Sequence, residues 1–495
     1  MKQIFLICLG GLIAASALLF WTLPEKQGKV PILTWVADND AMRHETLALF
    51  RAWLAEQRLP PIDLRITAVD KTPYQGGASK GLIQGVSGVA DDMTDIYLNQ
   101  LEMYQTTGML LDVTAAARRE GFGPEMTYPG IRDDFVIEGR QYGFPRSVDV
   151  TMCWVNRDTF ARYGIPEPPQ RWNWDQFEAL GQRFVAAANP PGTRQRVFFL
   201  NRVWLPVLRR GLGLSAFNET MTRCTLDDPR NAEVLRRLYR WTITERLMPT
   251  VAEQYSLVAD ATGFDSSFAL FASGRFGIIY EGLWALIRLR PMADLRLRAV
   301  EPFGGGFPNT EVNGGPVAIY TGSRHPELAF EFMRFLTSEP YNLLVARSGD
   351  SLPPVPAYAK TQAFLHPSDR PGEQGVQAAF AKAAEEIGIG ASKSPFVLPS
   401  IAFRIDKEES EEVLADRISP EMGARATAAR INAEIALTVK QDAALRRLYG
   451  ERLEIQHRLD ARRAAHRPVP AAWISDPFSL AYYRANGWLE KEALP

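Results

Sequence analysis

The first hundred residues alternate between two hydrophobic periodicities. Short β-prone runs lie at residues 32–36, 64–69 and 95–98. Between the first two runs, Leu47, Phe50 and Leu54 recur at helical spacing and predict an amphipathic helix. Strands separated by a helix indicate βαβ units and a mainly parallel sheet. The pattern therefore predicts an α/β fold.

Polar residues follow the first and third of these predicted strands. Ligands of open parallel sheets bind beyond the carboxyl ends of the strands. We therefore expect Asp38 and Asn99, together with Trp35 at the end of the first strand, to lie at the edge of a cleft. The alternative is that residues 38–40 only cap the next helix, since Asp and Asn are favoured there. Trp35 would then pack in the core, as most aromatic residues do.

Length and charge narrow the class of protein. The chain has 495 residues, which is too long for one ordinary domain. Its 56 basic residues nearly balance its 57 acidic ones, so no overall field favours a nucleic-acid partner. Hydrophobic residues make up 46% of the chain, as in ordinary globular proteins.

The amino terminus predicts export. Lys2 precedes an uncharged, mostly apolar stretch at residues 4–23, long enough to cross about 30 Å of hydrocarbon as a helix. Residues 1–23 are either a signal peptide cleaved after the A-x-A pattern at 15–17, or an uncleaved membrane anchor. We favour the anchor because the apolar run continues past that site at residues 18–21. Both interpretations place the rest of the chain outside the cytoplasm.

Metal, cofactor and nucleophile signals are weak in this sequence. The three cysteines, Cys8, Cys153 and Cys224, form no CxxC pair, so we expect no zinc or thioredoxin-like site. A disulfide between Cys153 and Cys224 stays open, because the sequence does not fix their separation. Residues 304–306 are three glycines with no following Lys, which argues against a phosphate-binding loop. We expect neither a metal nor a cofactor.

Several segments, taken in order, resemble the bacterial extracellular solute-binding proteins of ABC importers, of the sugar-binding, maltose-binding-protein-like type. The resemblance covers roughly residues 31–440, and it depends on the order and spacing of the segments more than on any single motif. The segments are 139–145 leading into 155–160, 168–169 followed by 174–177, 268–275 with 277–284, 314–319 through 323–332, and more weakly 418–432.

This resemblance implies a periplasmic-binding-protein type II fold. Two α/β lobes would be joined by crossing strands, and a hinge would close them around a solute. By analogy, lobe 1 comprises residues 31–145 and 299–335, and lobe 2 comprises residues 146–298 and 336–440. The resemblance also implies ABC permease subunits as partners and an extracytoplasmic location.

The run from Tyr280 to Trp284 is the best candidate for solute contacts. Aromatic planes suit the apolar faces of sugars, and carboxylates or guanidinium groups suit their hydroxyls. Glu281 lies between Tyr280 and Trp284, and Gly282 allows close backbone approach. The alternative is that both rings pack in the core while Glu281 is solvated.

Two further segments fall at the expected crossings between lobes. Arg146, Ser147 and Asp149 follow Pro145, so one side of this alternating run is expected to face the cleft. The alternative for these charges is an ion pair between the lobes. Gly314 and Gly315 resemble the second crossing, where the backbone approaches solute; a hinge or bulge without ligand contact explains them nearly as well.

The end of the chain departs from the family. Beyond Lys440, Leu445, Leu448, Ile455 and Leu459 form one helical stripe, and an aromatic stretch follows at residues 473–488. We expect residues 441–495 to be a helical extension packed on a lobe, because an amphipathic stripe usually buries against its own fold. The alternative is a docking element for a partner.

These observations predict a transport receptor that binds a small polar solute and does not convert it chemically. A carbohydrate is the favoured solute. Two alternatives stay open. One is an enzyme that reuses the cleft, with Cys153 or a carboxylate as catalyst, although no His partner is evident. The other is a membrane-anchored sensor that reports the solute to a membrane partner.

Overall fold

The computed structural model describes residues 30–68, 81, 83–85, 87–96, 101–259, 266–292, 294–367 and 369–491, with the isolated residues 11, 14 and 16. The predicted leader, apart from those three positions, and Asn99 lie outside the described residues. Within the described part of the chain, no helix is both long and apolar enough to cross a membrane.

Strands and helices alternate along most of the chain. The strands are β1 Ile32–Ala37, β2 Asp63–Ala68, β3 Met93–Asp95, β4 Val136–Ile137, β5 Arg140–Gln141, β6 Phe144–Val150, β7 Met152–Asn156, β8 Phe198–Leu200, β9 Phe276–Glu281, β10 Leu297–Val300, β11 Thr310–Ile319 and β12 Gly388–Ile389. The first nine α-helices are α1 Ala41–Glu56, α2 Leu101–Thr106, α3 Thr114–Glu120, α4 Arg157–Arg162, α5 Trp174–Ala188, α6 Leu205–Gly211, α7 Pro229–Tyr239, α8 Val251–Ala259 and α9 Ser266–Ala272. The others are α10 Ala285–Leu289, α11 Pro326–Leu336, α12 Glu339–Ser348, α13 Gln362–Leu365, α14 Val376–Glu386, α15 Pro399–Leu414, α16 Pro420–Gln441, α17 Ala443–Ala464 and α18 Pro477–Ala485.

The first sheet has the strand order β12-β11-β3-β1-β2, with β6 also paired to β11. Strand β1 is parallel to both β2 and β3, as the periodicity of the first hundred residues predicts. Helix α1 connects β1 to β2 and begins at a capped residue, because the Asp40 side chain accepts a hydrogen bond from the Arg43 N–H. We call the part of the molecule that is built on this sheet the first half. Its apolar side chains pack against the sheet.

The second sheet, in the second half of the molecule, has the order β10-β7-β9-β8. Only β8 and β9 are parallel, because β7 is antiparallel to both β9 and β10. The prediction of a mainly parallel sheet is therefore wrong for this half. The physical reason is that β7 continues β6 while β10 leads into β11, so two strands enter the sheet in opposite directions.

Strands β6 and β11 carry the chain between the halves. They pair antiparallel from Val150↔Val312 to Phe144↔Val317, with a register shift between Gly314 and Pro316. A third segment joins them, because Leu352 forms an antiparallel bridge with Val148. The halves are thus linked by three adjacent, hydrogen-bonded segments.

The first half has an apolar core on the first sheet, and a larger apolar cluster extends across the junction from β6 and β11 to β7 and β9. In the first half, Trp35 packs against Phe332 with ring centroids 5.0 Å apart, and Phe50 packs against Phe332 at 5.4 Å. Tyr341 and Val345 of α12 belong to the same core. Helix α12 therefore packs on the first half, although it lies beyond the predicted end of lobe 1 at residue 335.

The cysteines in the described part of the chain are not joined. Cys153 and Cys224 are both free and buried. They belong to different apolar clusters, Cys153 beside the second sheet and Cys224 beneath α15 and α16. The sequence left a disulfide between them open, and the fold places no such bond.

Helix α15 is fixed to the second half by a buried ion pair. The Arg209 guanidinium, only 2% exposed, donates to both carboxylate oxygens of Asp406 at 2.6 and 2.7 Å. Its Nε donates to the Asn231 side chain at 2.7 Å. A buried guanidinium that loses its counter-ion keeps its desolvation cost without the compensating attraction.

We expect Asp406→Asn to lower the free energy of unfolding by about 3–5 kcal/mol, the cost of breaking a buried pair from one side. Urea unfolding of the full chain measures this. The control is Lys407→Ala on the same helix, which removes an exposed pair with Glu411 and should cost about 1 kcal/mol or less. Equal losses in the two variants would contradict the assignment.

Candidate functional site

Three of the predicted solute contacts lie together where β6 meets the end of β9. Asp149 Oδ1 accepts hydrogen bonds from the Leu283 N–H at 2.8 Å and the Val150 N–H at 2.9 Å. A Cβ on Gly282 would lie 1.9 Å from Asp149 Oδ2 and 2.6 Å from Trp284 Cδ1. Only glycine fits at this approach. Asp149, Glu281, Gly282 and Trp284 are called the crossing group below.

The crossing group combines a ring with paired charges. Glu281 Oε1 accepts from Arg202 Nη2 at 3.0 Å, and the Arg202 side chain remains about half exposed. Burial raises the pKa of Glu281, while Arg202 and Asn201 oppose that rise. Trp284 is partly buried and packs edge-to-face on Phe268, with ring centroids 5.2 Å apart.

Tyr280 does not join this group. It is 4% exposed and packs in the core of the second half, because successive side chains of a strand point to opposite faces. Burial raises the pKa of its hydroxyl well above the usual value. The prediction of a solute contact is wrong for Tyr280, and the core alternative holds.

Trp35 and Arg146 meet at a buried carboxylate, Asp95. Trp35 Nε1 donates to Asp95 Oδ1 at 2.8 Å, and Arg146 Nε lies 2.8 Å from Asp95 Oδ2. Trp35 is fully buried, so its ring offers no face to a solute, and that prediction is corrected to core packing. Burial raises the pKa of Asp95, while Arg146 and Arg43 oppose the rise. The Arg146 pair lies within the first half, between β6 and β3.

Asp38 and Asp40, which follow β1, have different surroundings. Asp40 caps α1, as the alternative interpretation had it. Asp38 is half-buried and close enough to Asp95 to raise the pKa of that carboxyl. Arg43 Nη1 lies 3.5 Å from Asp350 Oδ2, just before the third crossing segment.

A partly open cavity of about 170 Å³ lies beside the crossing strands, and both halves contribute to its wall. It occupies the edge of β11 between the end of β3 and the end of β12, where β11 has no neighbouring strand. Its lining includes Ile96, Leu101, Asp134, Val136, Ile137, Glu138, Met221, Gly314, Pro316, Gly390, Ala391, Lys393, Pro395, Pro399, Leu448, Arg452, Ser475 and Pro477. We call it the junction cavity.

Gly314 and Gly315 have different environments. The Gly314 N–H donates to Asp134 Oδ2 at 3.1 Å, and Asp134 Oδ1 lies 2.5 Å from Lys393 Nζ. A side-chain pair thus replaces the missing strand at this edge. Gly314 lines the junction cavity, whereas Gly315 sits at the register shift beside the Arg146 guanidinium, as a bulge would. Ile96 and Leu101, which also line the cavity, flank the segment that contains Asn99.

Sequence reasoning missed several charged residues of this region. Arg202 follows β8 by two residues, so the carboxyl-end rule used for the first sheet would have found it if applied to the second. Asp95 was identified only as part of a strand. Asp134, Lys393 and Arg452 gave no local signal, since each acquires its role from a distant partner.

No group of three or more His, Cys, Asp or Glu side chains that could hold a metal ion occurs within the residues that the structure describes. The described chemistry consists of rings, ion pairs and backbone donors.

The family model for bacterial extracellular solute-binding proteins matches residues 48–343. This chain belongs to that family. The predicted family is therefore confirmed by a match over more than half of the sequence. A search of curated proteins finds no match.

Solved structures confirm the periplasmic-binding-protein-like α/β fold. The ABC substrate-binding protein Lmo0181 from Listeria monocytogenes, solved with cycloalternan, aligns with a TM-score of 0.69 and 18% identity, covering 82% of this chain and 99% of its own. The GacH receptor of Streptomyces glaucescens, solved unliganded and with acarbose, aligns with a TM-score of 0.65 and 15% identity, covering 82% of this chain and 99% of its own. Maltose-bound MalE3 of T. maritima aligns with a TM-score of 0.64 and 14% identity, covering 81% of this chain and 99% of its own. These proteins are covered almost completely, whereas this chain contains additional sequence.

We expect Asp149→Asn to change how stability depends on pH. Burial raises the pKa of Asp149 well above its usual value, and the nearby Asp350 and Glu281 carboxylates add to the rise. The folded state therefore binds this proton more tightly than the unfolded chain, whose pKa is about 3.9. Ionised Asp149 costs stability above the folded pKa, and that cost decreases as the pH falls below the folded pKa until it is gone at the unfolded pKa.

Asp149→Asn keeps the Oδ1 acceptor and should be more stable than the wild type at pH 8, by about 1.4 kcal/mol for each unit between the two pKa values. The difference should vanish near pH 4. Urea unfolding at several pH values tests this, with Asp369→Asn, at a side chain 76% exposed, as the control. A wild type that is more stable than Asp149→Asn at pH 8 would contradict the prediction.

Proposed function

We propose that this protein is an extracytoplasmic receptor that captures a small carbohydrate between two hinged lobes and delivers it to the permease subunits of an ABC importer. The observation that carries this proposal is the antiparallel crossing of β6 and β11 beside a cavity to which both halves contribute. Membership of the family shows that the chain binds a solute. That the solute is a sugar and that the lobes close about a hinge are parts of this proposal.

The two halves support the proposed lobes. Lobe 1 would comprise residues 31–145 and 299–335, and lobe 2 residues 146–298 and 336–440. Because α12 packs in the first core, we propose that lobe 1 also includes residues 339–348, with the third crossing near Leu352. The bulge between Gly314 and Pro316 interrupts the ladder between the crossing strands and would serve as part of the hinge.

The crossing group supports a carbohydrate ligand. A partly exposed ring at Trp284 suits a sugar face, and the Glu281–Arg202 pair offers charged hydrogen-bonding groups to hydroxyls. Cycloalternan, acarbose and maltose are bound by the three similar structures. We therefore propose Asp149, Glu281, Trp284 and Gly314 as solute contacts, with Asp38 and Asn99 at the cleft edge.

Location and anchoring follow from the same proposal. An extracellular solute-binding family requires export, and residues 1–23 are our proposed export signal or inner-membrane anchor. The anchor remains a prediction of the sequence.

The enzyme alternative loses its named nucleophile. Cys153 is fully buried, and burial raises the pKa of its thiol far above the usual value. A thiol that is buried from solvent and does not ionise to the thiolate is chemically inert. No observation favours an enzyme or a sensor over the transport receptor.

Thermal unfolding of the exported chain with a panel of mono- and oligosaccharides tests the proposal. A true ligand at a hundred times its Kd should stabilise the folded state by about 2.7 kcal/mol. A panel in which no sugar shifts the transition would overturn the carbohydrate assignment.

We expect Trp284→Ala to weaken binding of the sugar found in that panel about 30-fold, because a central aromatic contact contributes about 2 kcal/mol. Isothermal titration calorimetry measures the Kd. Trp488→Ala removes an equally large ring at a position 47% exposed and outside the crossing group, and it should leave the Kd unchanged. Equal effects of the two variants would exclude Trp284 as a specific contact.

A further inference from the structure

We propose that the C-terminal segment, residues 443–491, forms a third wall of the junction cavity and contacts the solute there. This inference rests on the proposed function, because it takes the solute to enter between the halves. It adds a part of the chain beyond residue 343, where the match to the family ends.

Four residues of the C-terminal segment line the junction cavity. Leu448 and Arg452 come from α17, one helical turn apart, and Ser475 and Pro477 come from the start of α18. The first half contributes Asp134, Glu138 and Gly314 to the same wall. The cavity therefore has residues of the first half, the second half and the C-terminal segment around it.

Buried hydrogen bonds fix the C-terminal segment to the second half. Glu219, only 7% exposed, accepts from Gln456 Nε2 at 2.8 Å, from Arg463 Nη1 at 2.8 Å and from the Tyr483 hydroxyl at 2.5 Å. Its backbone carbonyl also accepts from the N–H groups of residues 475 and 476. Separating the segment would break these hydrogen bonds, three of which are made to a carboxylate and are therefore among the stronger ones. The segment should therefore move with the second half when the halves close.

A second contact connects α18 to the cavity wall. Arg210, 3% exposed, donates through Nη2 to the Gly390 carbonyl at 2.7 Å, and its Cζ lies 5.7 Å from the centre of the Phe478 ring. Gly390 and Lys393 line the cavity, and Lys393 reaches Asp134 of the first half. The wall supported by the C-terminal segment thus contacts the first half through the Lys393–Asp134 ion pair and through the pairing of β12 with β11.

The lining of the cavity indicates the chemistry of its ligand. It combines apolar surface with two carboxylates and two cations, which suits a ligand with hydroxyl groups. Leu448, Arg452 and Pro477 of the C-terminal segment belong to this lining.

Leu448→Trp tests the wall by filling the cavity from the C-terminal segment. We expect the Kd for the best monosaccharide to rise at least 10-fold in titration calorimetry of the full chain. The matched control is Glu451→Trp, which puts the same ring on the exposed face of the same helix and should change the Kd less than twofold. If Leu448→Trp binds as the wild type does while Trp284→Ala loses binding, the wall is wrong and the proposed function stands.

A measurement without ligand tests the wall separately. Glu138 and Ser475 both line the cavity, whereas the exposed Ala472 on the same segment as Ser475 does not line it. A short bismaleimide should cross-link the Glu138→Cys, Ser475→Cys variant at least 10 times faster than the Glu138→Cys, Ala472→Cys variant. Equal rates would overturn the wall even if no sugar in the panel binds.

Discussion

The antiparallel pairing of β6 with β11 is the constraint on which the rest of the structure depends. It joins the halves through backbone hydrogen bonds, and a register shift between Gly314 and Pro316 interrupts the ladder. It also sets the direction of β7 and β10, and therefore the mixed second sheet. Both the crossing group and the junction cavity are built on these two strands.

The two buried carboxylates next to the crossing strands, Asp95 and Asp149, have different hydrogen-bond donors. Asp95 accepts from Trp35 and Arg146 within the first half, which fixes the start of β6. Asp149 instead receives only backbone donors, one of them from the other half. Burial and the nearby Asp350 and Glu281 carboxylates make Asp149 costly to ionise, and the two N–H donors offset only part of that cost. Polar solute hydroxyls or a closing movement would change its environment directly.

The C-terminal segment lies beyond residue 343, where the match to the family ends. Its helices α17 and α18 reach the junction cavity, which Leu448, Arg452 and Pro477 help to line. The Glu219 carboxylate accepts hydrogen bonds from three side chains of this segment. The segment therefore adds to the surroundings of the crossing strands from a distant part of the sequence.

The sequence by itself determined the strand–helix alternation, the parallel start of the first sheet and the family, because these depend on neighbours along the chain. It also singled out Glu281, Gly282 and Trp284, which are adjacent in sequence. Only the tertiary structure decided that Trp35 and Tyr280 are core residues, because strand alternation and the packing of distant helices set their exposure. It alone joined Asp134 to Lys393 across 259 residues and Glu219 to Tyr483 across 264. No local pattern encodes contacts between residues so far apart, and these contacts complete the cavity.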